Sequence, residues 1–359
     1  MPSGTENIGM ISFFCVFIYL YLFYTDFYSK RLLSLIMNHW SNYWSSSKTL
    51  NSFSESDISK GYTGEIKRYW FDIFSKLKPG SKIVDIGCGN GALACLAVEY
   101  SNSHNLDFVV HGIDAADIKP IDTFKDDKKL LGLLSKVTFH PKTPAEKMPF
   151  KRGAIDVFIS QFGFEYSDIL KTLSECQKAL ADNGSIHIMA HHPNSVISQD
   201  TKSGAHVLNE ILHTSPLFIQ VDLLLDIATQ VYQSGQYQAW NRNPYNQSIT
   251  HTIKWILDTV KKQFHEEKYA NWLNDIISRV IPILQNLSTS NPQLLRQHLA
   301  HDFNLLDQHR ARLEEQIKAT LTNTNLKELE ENTLKLNRST VSTTFNIENQ
   351  PFAWSITIE

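Results

Sequence analysis

Lys82-Ile83-Val84-Asp85-Ile86-Gly87-Cys88-Gly89-Asn90-Gly91 decides the fold. The short apolar run from Lys82 to Ile86 reads as a buried strand. It ends in a tight glycine turn, and Gly91 to Tyr100 reads as a helix with Ala92, Leu93, Leu96 and Ala97 on one side. A strand that turns through glycines into a helix offers a ligand backbone N–H groups and a helix N-terminus. Glycine is needed where φ is positive and where a ligand comes close to the main chain. The glycines alone do not choose the ligand, because Gly87, Gly89 and Ala92 also satisfy the dinucleotide pattern G-x-G-x-x-G/A.

Asp85 separates the two readings. A carboxylate two residues before Gly87 would repel a pyrophosphate, which weighs against an NAD-dependent dehydrogenase. The same carboxylate would give a cationic amino-acid group a charge-assisted hydrogen bond. Outward from this turn, strands and helices alternate. Phe108 to Ile113, Val137 to His140, Ile155 to Ser160 and Ser185 to Ala190 read as strands, with Ser167 to Leu180 helical and Asp182-Asn183-Gly184 as a turn. Upstream, Glu65 to Leu77 is an amphipathic helix ended by Pro79-Gly80. Repeated β-α-β units predict a parallel sheet with helices on both faces.

Val84-Asp85-Ile86-Gly87-Cys88-Gly89-Asn90-Gly91 resembles the first motif of the class I S-adenosylmethionine-dependent methyltransferases. The resemblance covers about 61–195, with weaker agreement at the C-terminus. It implies an α/β, Rossmann-like, seven-stranded and mostly parallel sheet whose last strand runs antiparallel, with S-adenosyl-L-methionine as cofactor. It implies that Asp85, Gly87, Cys88, Gly89, Asn90 and Gly91 wrap the methionine part, and that Asp114, with Ala115 beside it, binds the ribose hydroxyls. Thr143 to Phe150 is similar to the family's adenine-contacting segment D-A-E-x-L-P-F, which places Ala145 and Glu146 beside the adenine. Pro144 replaces the usual Asp there, so the backbone of Ala145 is left to make that contact. After the fourth strand, Ser160 and Gln161 would border the cofactor, and Phe162, Phe164 and Tyr166 would wall the transfer site. In such a domain the N-terminal segment often covers the site, which suits Trp40, Tyr43, Trp44 and Tyr62 as well as simple packing does.

Methyl transfer is a displacement at a sulfonium carbon, so alignment supplies much of the catalysis. A base is needed only when the acceptor must lose a proton. Glu165 and Tyr166 after the fourth strand, and His191 and His192 after the fifth, are the candidate catalytic residues. His298, His301 and Asp302 have helical metal-ligand spacing, but 14 histidines make such groupings expected by chance, and no metal is assigned. The four cysteines show no C-x-x-C pair and read as free thiols of a reducing compartment.

Beyond Asn194 the pattern turns helical. Val207–Val231, Ile249–Gln285 and Leu294–Leu321 read as helices interrupted by Pro216, Pro244, Pro282 and Pro292, and strand character returns in Thr340–Ile347 and Phe352–Glu359. The expected organisation is a hydrophobic segment over 1–36, a cofactor-binding core over 37–200, a helical insertion or cap over 201–325, and C-terminal strands over 326–359 that complete the sheet. Ile8 to Thr25 carries no charge and is long enough to span a membrane. Lys30 and Arg31 after it would leave the core in the cytoplasm. The competing reading starts the protein at Met37 and makes it cytoplasmic without an anchor.

A net charge of −3 disfavours bulk nucleic-acid binding. The expected function is methyl transfer to an acceptor of unknown class, a small or lipid-like molecule being favoured over protein or RNA. A cofactor-binding protein without catalysis, with the helical region as an interaction module, would use the same cradle.

Overall fold

A computed structural model describes residues 39–52, 61–235, 240 and 243–359. The stretch 8–25, whose composition suits a membrane helix, lies outside them. The chain divides into a unit Met1–His39 and a unit Trp40–Glu359. The sheet and the helices that flank it lie in the second unit.

β1 (Lys82–Ile86) lies inside a seven-stranded sheet of order β3-β2-β1-β4-β5-β7-β6. β2 (Val109–Ile113), β3 (Val137–His140), β4 (Ile155–Gln161) and β5 (Leu180–His191) run parallel with it. β7 (Gln350–Ile358) is antiparallel to both β5 and β6 (Thr340–Ile347). The expected Rossmann-like sheet is therefore present. Glu348 and Asn349 join β6 to β7 with φ of 50° and 63°. Positive φ at both central residues suits a tight two-residue hairpin.

Alternation along the strands separates the two faces. On one face, Ile83, Val157, Ile159 and Met189 pack under α2 (Gly64–Phe74) and α3 (Ala92–His104). Trp70 and Phe74 are fully buried there. Truncating side chains of this size in a core costs about 3–5 kcal/mol each. On the other face, Val84, Ile86, Phe158 and Ile188 pack with Leu173 and Cys176 of α6 (Ile169–Ala179) and with Leu326 and Leu329 of α12 (Asn323–Lys335).

The expected turn at Asp182-Asn183-Gly184 is absorbed into β5. Ile155 pairs with Leu180 and Val157 with Ser185, so residues 181–184 bulge out of the ladder. Arg338 holds the bulge by donating to the Gly184 carbonyl over 2.6 Å and to Gln177 over 2.8 Å. Cys88, Cys95 and Cys176 are buried free thiols, and burial raises the pKa of each.

Between β5 and α12 stand α7 (Val196–Asn209), α8 (Leu217–Gln233), α9 (Pro244–Gln263), α10 (Glu267–Gln285) and α11 (Pro292–Ala319). α11 packs on both α7 and α8, α9 packs on α8, and α10 on α7. Pro216, Pro244 and Pro292 mark helix starts, as expected of a residue without an N–H. Pro282 departs from expectation, since it lies inside α10. No single helix among the described residues is long and apolar enough to cross a membrane. The bent pair Val196–Thr214 and Leu217–Gln233 passes by length and composition, but Val207, Leu208, Ile211, Val221 and Leu225 of that pair are buried in the protein.

Candidate active site

The glycine turn follows β1 and leads into α3. Gly87, Gly89 and Gly91 have φ of 68°, 51° and 90°. Space is as decisive as backbone conformation. A Cβ on Gly87 would lie 2.7 Å from Gly163 Cα, and one on Gly89 would lie 2.5 Å from the Trp44 ring. The turn is thus closed by the segment after β4 on one side and by α1 (His39–Ser46) on the other. Gly163 is a site residue that the sequence reading missed. Its signal was a glycine within Phe162-Gly163-Phe164 just after a parallel strand.

Asp85 is buried at 2% exposure and accepts from the Ala94 N–H over 3.1 Å, in the first turn of α3. Burial pushes its pKa well above the usual carboxylate range, the Ala94 hydrogen bond opposes this, and the nearby Asp114 charge adds to it. Asp114, at the end of β2, accepts from Gly89 N–H and Ala116 N–H, both over 2.8 Å. Its pKa is raised by burial and lowered by those two bonds. Each carboxylate oxygen has two acceptor sites, so Asp114 keeps one on each oxygen. Among the described residues, no cation forms an ion pair with Asp85 or Asp114. Ala115 is exposed beside Asp114. Cys88 packs with Trp44, Ala116 and Ile118, which makes an apolar wall next to the acids.

The cradle fits S-adenosylmethionine on these observations. The three positive-φ glycines turn the chain tightly from β1 into α3, directly beside the two acids. Two acids without a counter-charge among the described residues suit a cation, and the spare acceptor sites of Asp114 suit a cis-diol.

Four expected cofactor residues have other partners. Asn90 is fully buried, and its side-chain amide donates to the carbonyls of Trp44, Ser47 and Thr49 at 3.2, 3.4 and 3.0 Å. It ties the 44–49 segment to the turn. Ser160 donates to the Ile86 carbonyl over 2.7 Å and accepts from Phe164 N–H over 2.9 Å, so its hydroxyl joins β1, β4 and the 164–166 turn. Glu146 accepts from Asp168 N–H over 2.6 Å, which turns its carboxylate toward the start of α6. Gln161 accepts from Trp70 Nε1 over 2.6 Å, while its Nε2 is buried without a partner. Ala145 is partly buried against the α6 face of the sheet. Beside it, Thr143 N–H donates to the Asp114 carbonyl over 2.7 Å, which brings the segment up to the end of β2.

The ends of β4 and β5 gather three of the four candidate catalytic residues. Glu165 Oε1 accepts from His191 N–H over 2.8 Å, and Oε2 is buried without a partner. Burial raises the Glu165 pKa to about 7, against two backbone hydrogen bonds that lower it. The Tyr166 hydroxyl lies 3.3 Å from His191 Nε2. Phe162, at φ 56°, stacks on the His191 ring at 4.3 Å. Burial lowers the His191 pKa to about 3, so its imidazole stays neutral.

His192 is separated from this group. Strand alternation turns it to the other side of β5, where its ring meets Trp354 at 4.2 Å and its Nδ1 accepts from Asn194 N–H over 3.1 Å. The two neighbouring histidines thus part company: His191 joins Glu165 and Tyr166, and His192 packs on Trp354. Trp40 closes the site, with its ring edge-on to Tyr166 at 5.6 Å. Of the grouping His298, His301 and Asp302, the aspartate is held by Arg279 over 3.1 Å.

Residues 84–188 match a family model described as a methyltransferase domain. No curated protein matches the chain. Among solved structures, it is similar to a geranyl diphosphate methyltransferase in complex with geranyl diphosphate and sinefungin. That match has 18% identity over 36% of this chain and 45% of the other, with a TM-score of 0.30. A methyltransferase from Aquifex aeolicus matches with 20% identity over 35% and 64%, at 0.30. A geranyl diphosphate C-methyltransferase from Streptomyces coelicolor matches with 15% identity over 43% and 64%, at 0.31. The chain thus spans less than two thirds of each, and likeness at this level says nothing about the acceptor. The family match falls on the segment that runs from the cradle to β5, and it agrees with the chemistry of the two acids: residues 84–188 are a methyltransferase domain of the class I family, whose cofactor is S-adenosylmethionine.

Proposed function

We propose that this chain is an enzyme that transfers the methyl group of S-adenosylmethionine to a small-molecule acceptor held where β4 and β5 end. The observation that carries the reading is the pair Asp85 and Asp114, close enough for the Asp114 charge to raise the Asp85 pKa, under a glycine turn and, among the described residues, without a cationic partner. Uncompensated acids in a partly dry site call for a cationic ligand.

When bound, S-adenosylmethionine supplies a methyl group on a positively charged sulfur, already activated for displacement. The chain contributes binding, alignment and proton removal. Asp85 and Asp114 hold the cationic and diol parts through charge-assisted and ordinary hydrogen bonds. Glu165 takes the acceptor's proton at Oε2, its partnerless oxygen. With a pKa of about 7 it is substantially ionised near neutrality and basic enough to accept. The neutral His191 ring, fixed between Phe162 and the Tyr166 hydroxyl, fixes the backbone N–H that holds Glu165 Oε1. Trp40 and Trp44 cover the site and exclude water.

The helices over 201–325 act as a cap that sets acceptor choice, above a core over 37–200 and strands over 326–359. Placement in the cytoplasm, with or without an anchor through residues 8–25, is checked by whether the full chain stays with membranes in the absence of detergent.

Calorimetric titration with S-adenosylmethionine tests the cofactor step, and binding is expected. Absence of binding, together with binding of a nicotinamide dinucleotide, overturns the reading. A screen of a metabolite extract with labelled cofactor then separates the enzyme from a non-catalytic cofactor-binding protein. Labelled product is expected, and cofactor binding without any product favours the second.

A further inference from the structure

On α11, Gln308, Arg312 and Glu315 are spaced i, i+4, i+7, which puts them on one helix face. That face meets α1. Asn42 donates to Gln308 over 3.3 Å, and Trp40 Nε1 donates to Glu315 over 2.7 Å. Between them, the Arg312 guanidinium lies over the Tyr43 ring, 4.5 Å from its centroid. Arg312 makes no hydrogen bond or ion pair with any described residue.

Its neighbours in the helical region behave differently. Arg279 is paired with Asp275 and Asp302, Arg296 with Asp222 and Asp226, and Arg310 with Asp307 and Glu314. Arg312 is also partly buried, which pulls its pKa down to about 10. The adjacent His309 offers no counter-charge, since an imidazole is either neutral or cationic, and burial, followed by the charges of Arg312 and Arg279, keeps it neutral. The Tyr43 ring face compensates a guanidinium only in part. Partly buried charges ordinarily find a partner.

The same face of α11 reaches the transfer site. α11 packs against the 164–166 turn. Trp40, bound to Glu315, lies against Tyr166, whose hydroxyl is 3.3 Å from His191. We infer that Arg312 anchors an acidic group of the methyl acceptor, a carboxylate or a phosphate ester, with the acceptor's apolar or aromatic body lying along Trp40 and Tyr43. This rests on the methyl-transfer reading and adds the class of acceptor to it. The cofactor's own carboxylate is the competing partner. The position of Arg312 on Tyr43, with Trp44 covering Gly89, sets it apart from the cradle.

The test uses the full chain saturated with S-adenosylhomocysteine and titrated with phenylacetate, benzyl phosphate and benzyl alcohol. At least one of the two acids is expected to bind at least tenfold more tightly than the neutral alcohol, and which one does so separates carboxylate from phosphate. Arg312→Gln is expected to weaken that acid at least tenfold, Arg312→Lys to restore part of the loss, and both to bind S-adenosylhomocysteine within twofold of the unaltered chain. The inference is overturned by no preference for either acid over the alcohol in the unaltered chain, or by equal acid binding in Arg312→Gln. A drop in S-adenosylhomocysteine affinity in Arg312→Gln also overturns it, by assigning the guanidinium to the cofactor. Failure of the unaltered chain to bind S-adenosylhomocysteine would count against the cofactor reading itself. In that event the acid-over-alcohol preference, measured without it, still decides for or against Arg312.

Discussion

The cradle beneath Gly89 and the α11 face opposite Tyr43 are both short of counter-charge, with opposite signs. In the cradle, Asp85 and Asp114 have backbone N–H donors and the N-terminal dipole of α3, but no cationic partner among the described residues. On α11, Arg312 has an aromatic face and no anionic partner among the described residues. A net charge of −3 conceals this, because the signs cancel in the sum and not in space. Charges left unmatched inside a fold are informative where paired ones are not, since matching them in place would have been the more stable arrangement. The aromatic residues of α1 stand between the two, with Trp44 over the cradle and Tyr43 under the guanidinium.

The largest effect is expected at Glu165, in the 164–166 turn on which α11 packs. Glu165→Gln should lower kcat/KM by about 10²- to 10⁴-fold, the usual contribution of a general base, with cofactor affinity unchanged. In the unaltered chain kcat/KM should rise with pH through an apparent pKa of about 7, as Glu165 loses its proton, and this limb should vanish in the variant. Stability moves the opposite way. Below pH 4.5 the carboxyl is protonated in both the folded and unfolded chain. Between pH 4.5 and about 7 only the folded chain keeps the proton, so ionisation progressively favours unfolding as pH rises. Thermal melts should therefore show the unaltered chain losing ground to Glu165→Gln across that window. An unchanged rate profile would remove Glu165 from the chemistry.

Asp85→Asn tests the acidic end alone. Asn keeps an acceptor for the Ala94 N–H and removes the charge. S-adenosylmethionine affinity should fall about 10- to 150-fold, the worth of a hydrogen bond to a charged partner. Folding stability should hold or rise, because a buried carboxylate is gone. Paired with Arg312→Gln, the two losses should fall on different ligands, cofactor and acceptor, and add without coupling. Coupling in calorimetric titrations of the double variant would mean that one ligand spans both ends.

The parts of this site that were legible in the sequence are those built from neighbours in the chain. The β1 run, the glycine turn, Asp85 and the start of α3 are contiguous, and strand period and turn chemistry identify them. Asp114 was legible for the same reason, as the acid that ends the next strand. What period and turn chemistry do not report is the partner of a side chain. Asn90 sits in the cofactor turn and spends its amide on Trp44, Ser47 and Thr49. Ser160 ends a strand that points at the ligand and spends its hydroxyl on Ile86 and Phe164. Arg312 reads as one more charge on a long helix, and becomes notable only beside Tyr43. The bulge at 181–184 reads as a turn because its residues favour one, and pairing with β4 on both sides overrides that preference.

The smallest effect separates two residues that the chain places side by side. His191 and His192 are equivalent as sequence, but a strand sends consecutive side chains to opposite faces. His191 lies in the aromatic and acidic group with Phe162, Tyr166 and Glu165, and His192 packs on Trp354. His192→Asn keeps an acceptor for the Asn194 N–H, so kcat/KM should stay within about twofold. The lost ring contact should lower stability by about 0.5–1.5 kcal/mol, read as a shift of the denaturation midpoint. His191→Asn retains the N–H that holds Glu165 and removes the ring stacked on Phe162, so it should reduce kcat/KM by a clearly larger factor. If the two variants lost rate equally, alternation would not be what divides the pair. His192 would then have to reach the acceptor from the far side of β5, and the assignment of Glu165, Tyr166 and His191 as one group would fail with it.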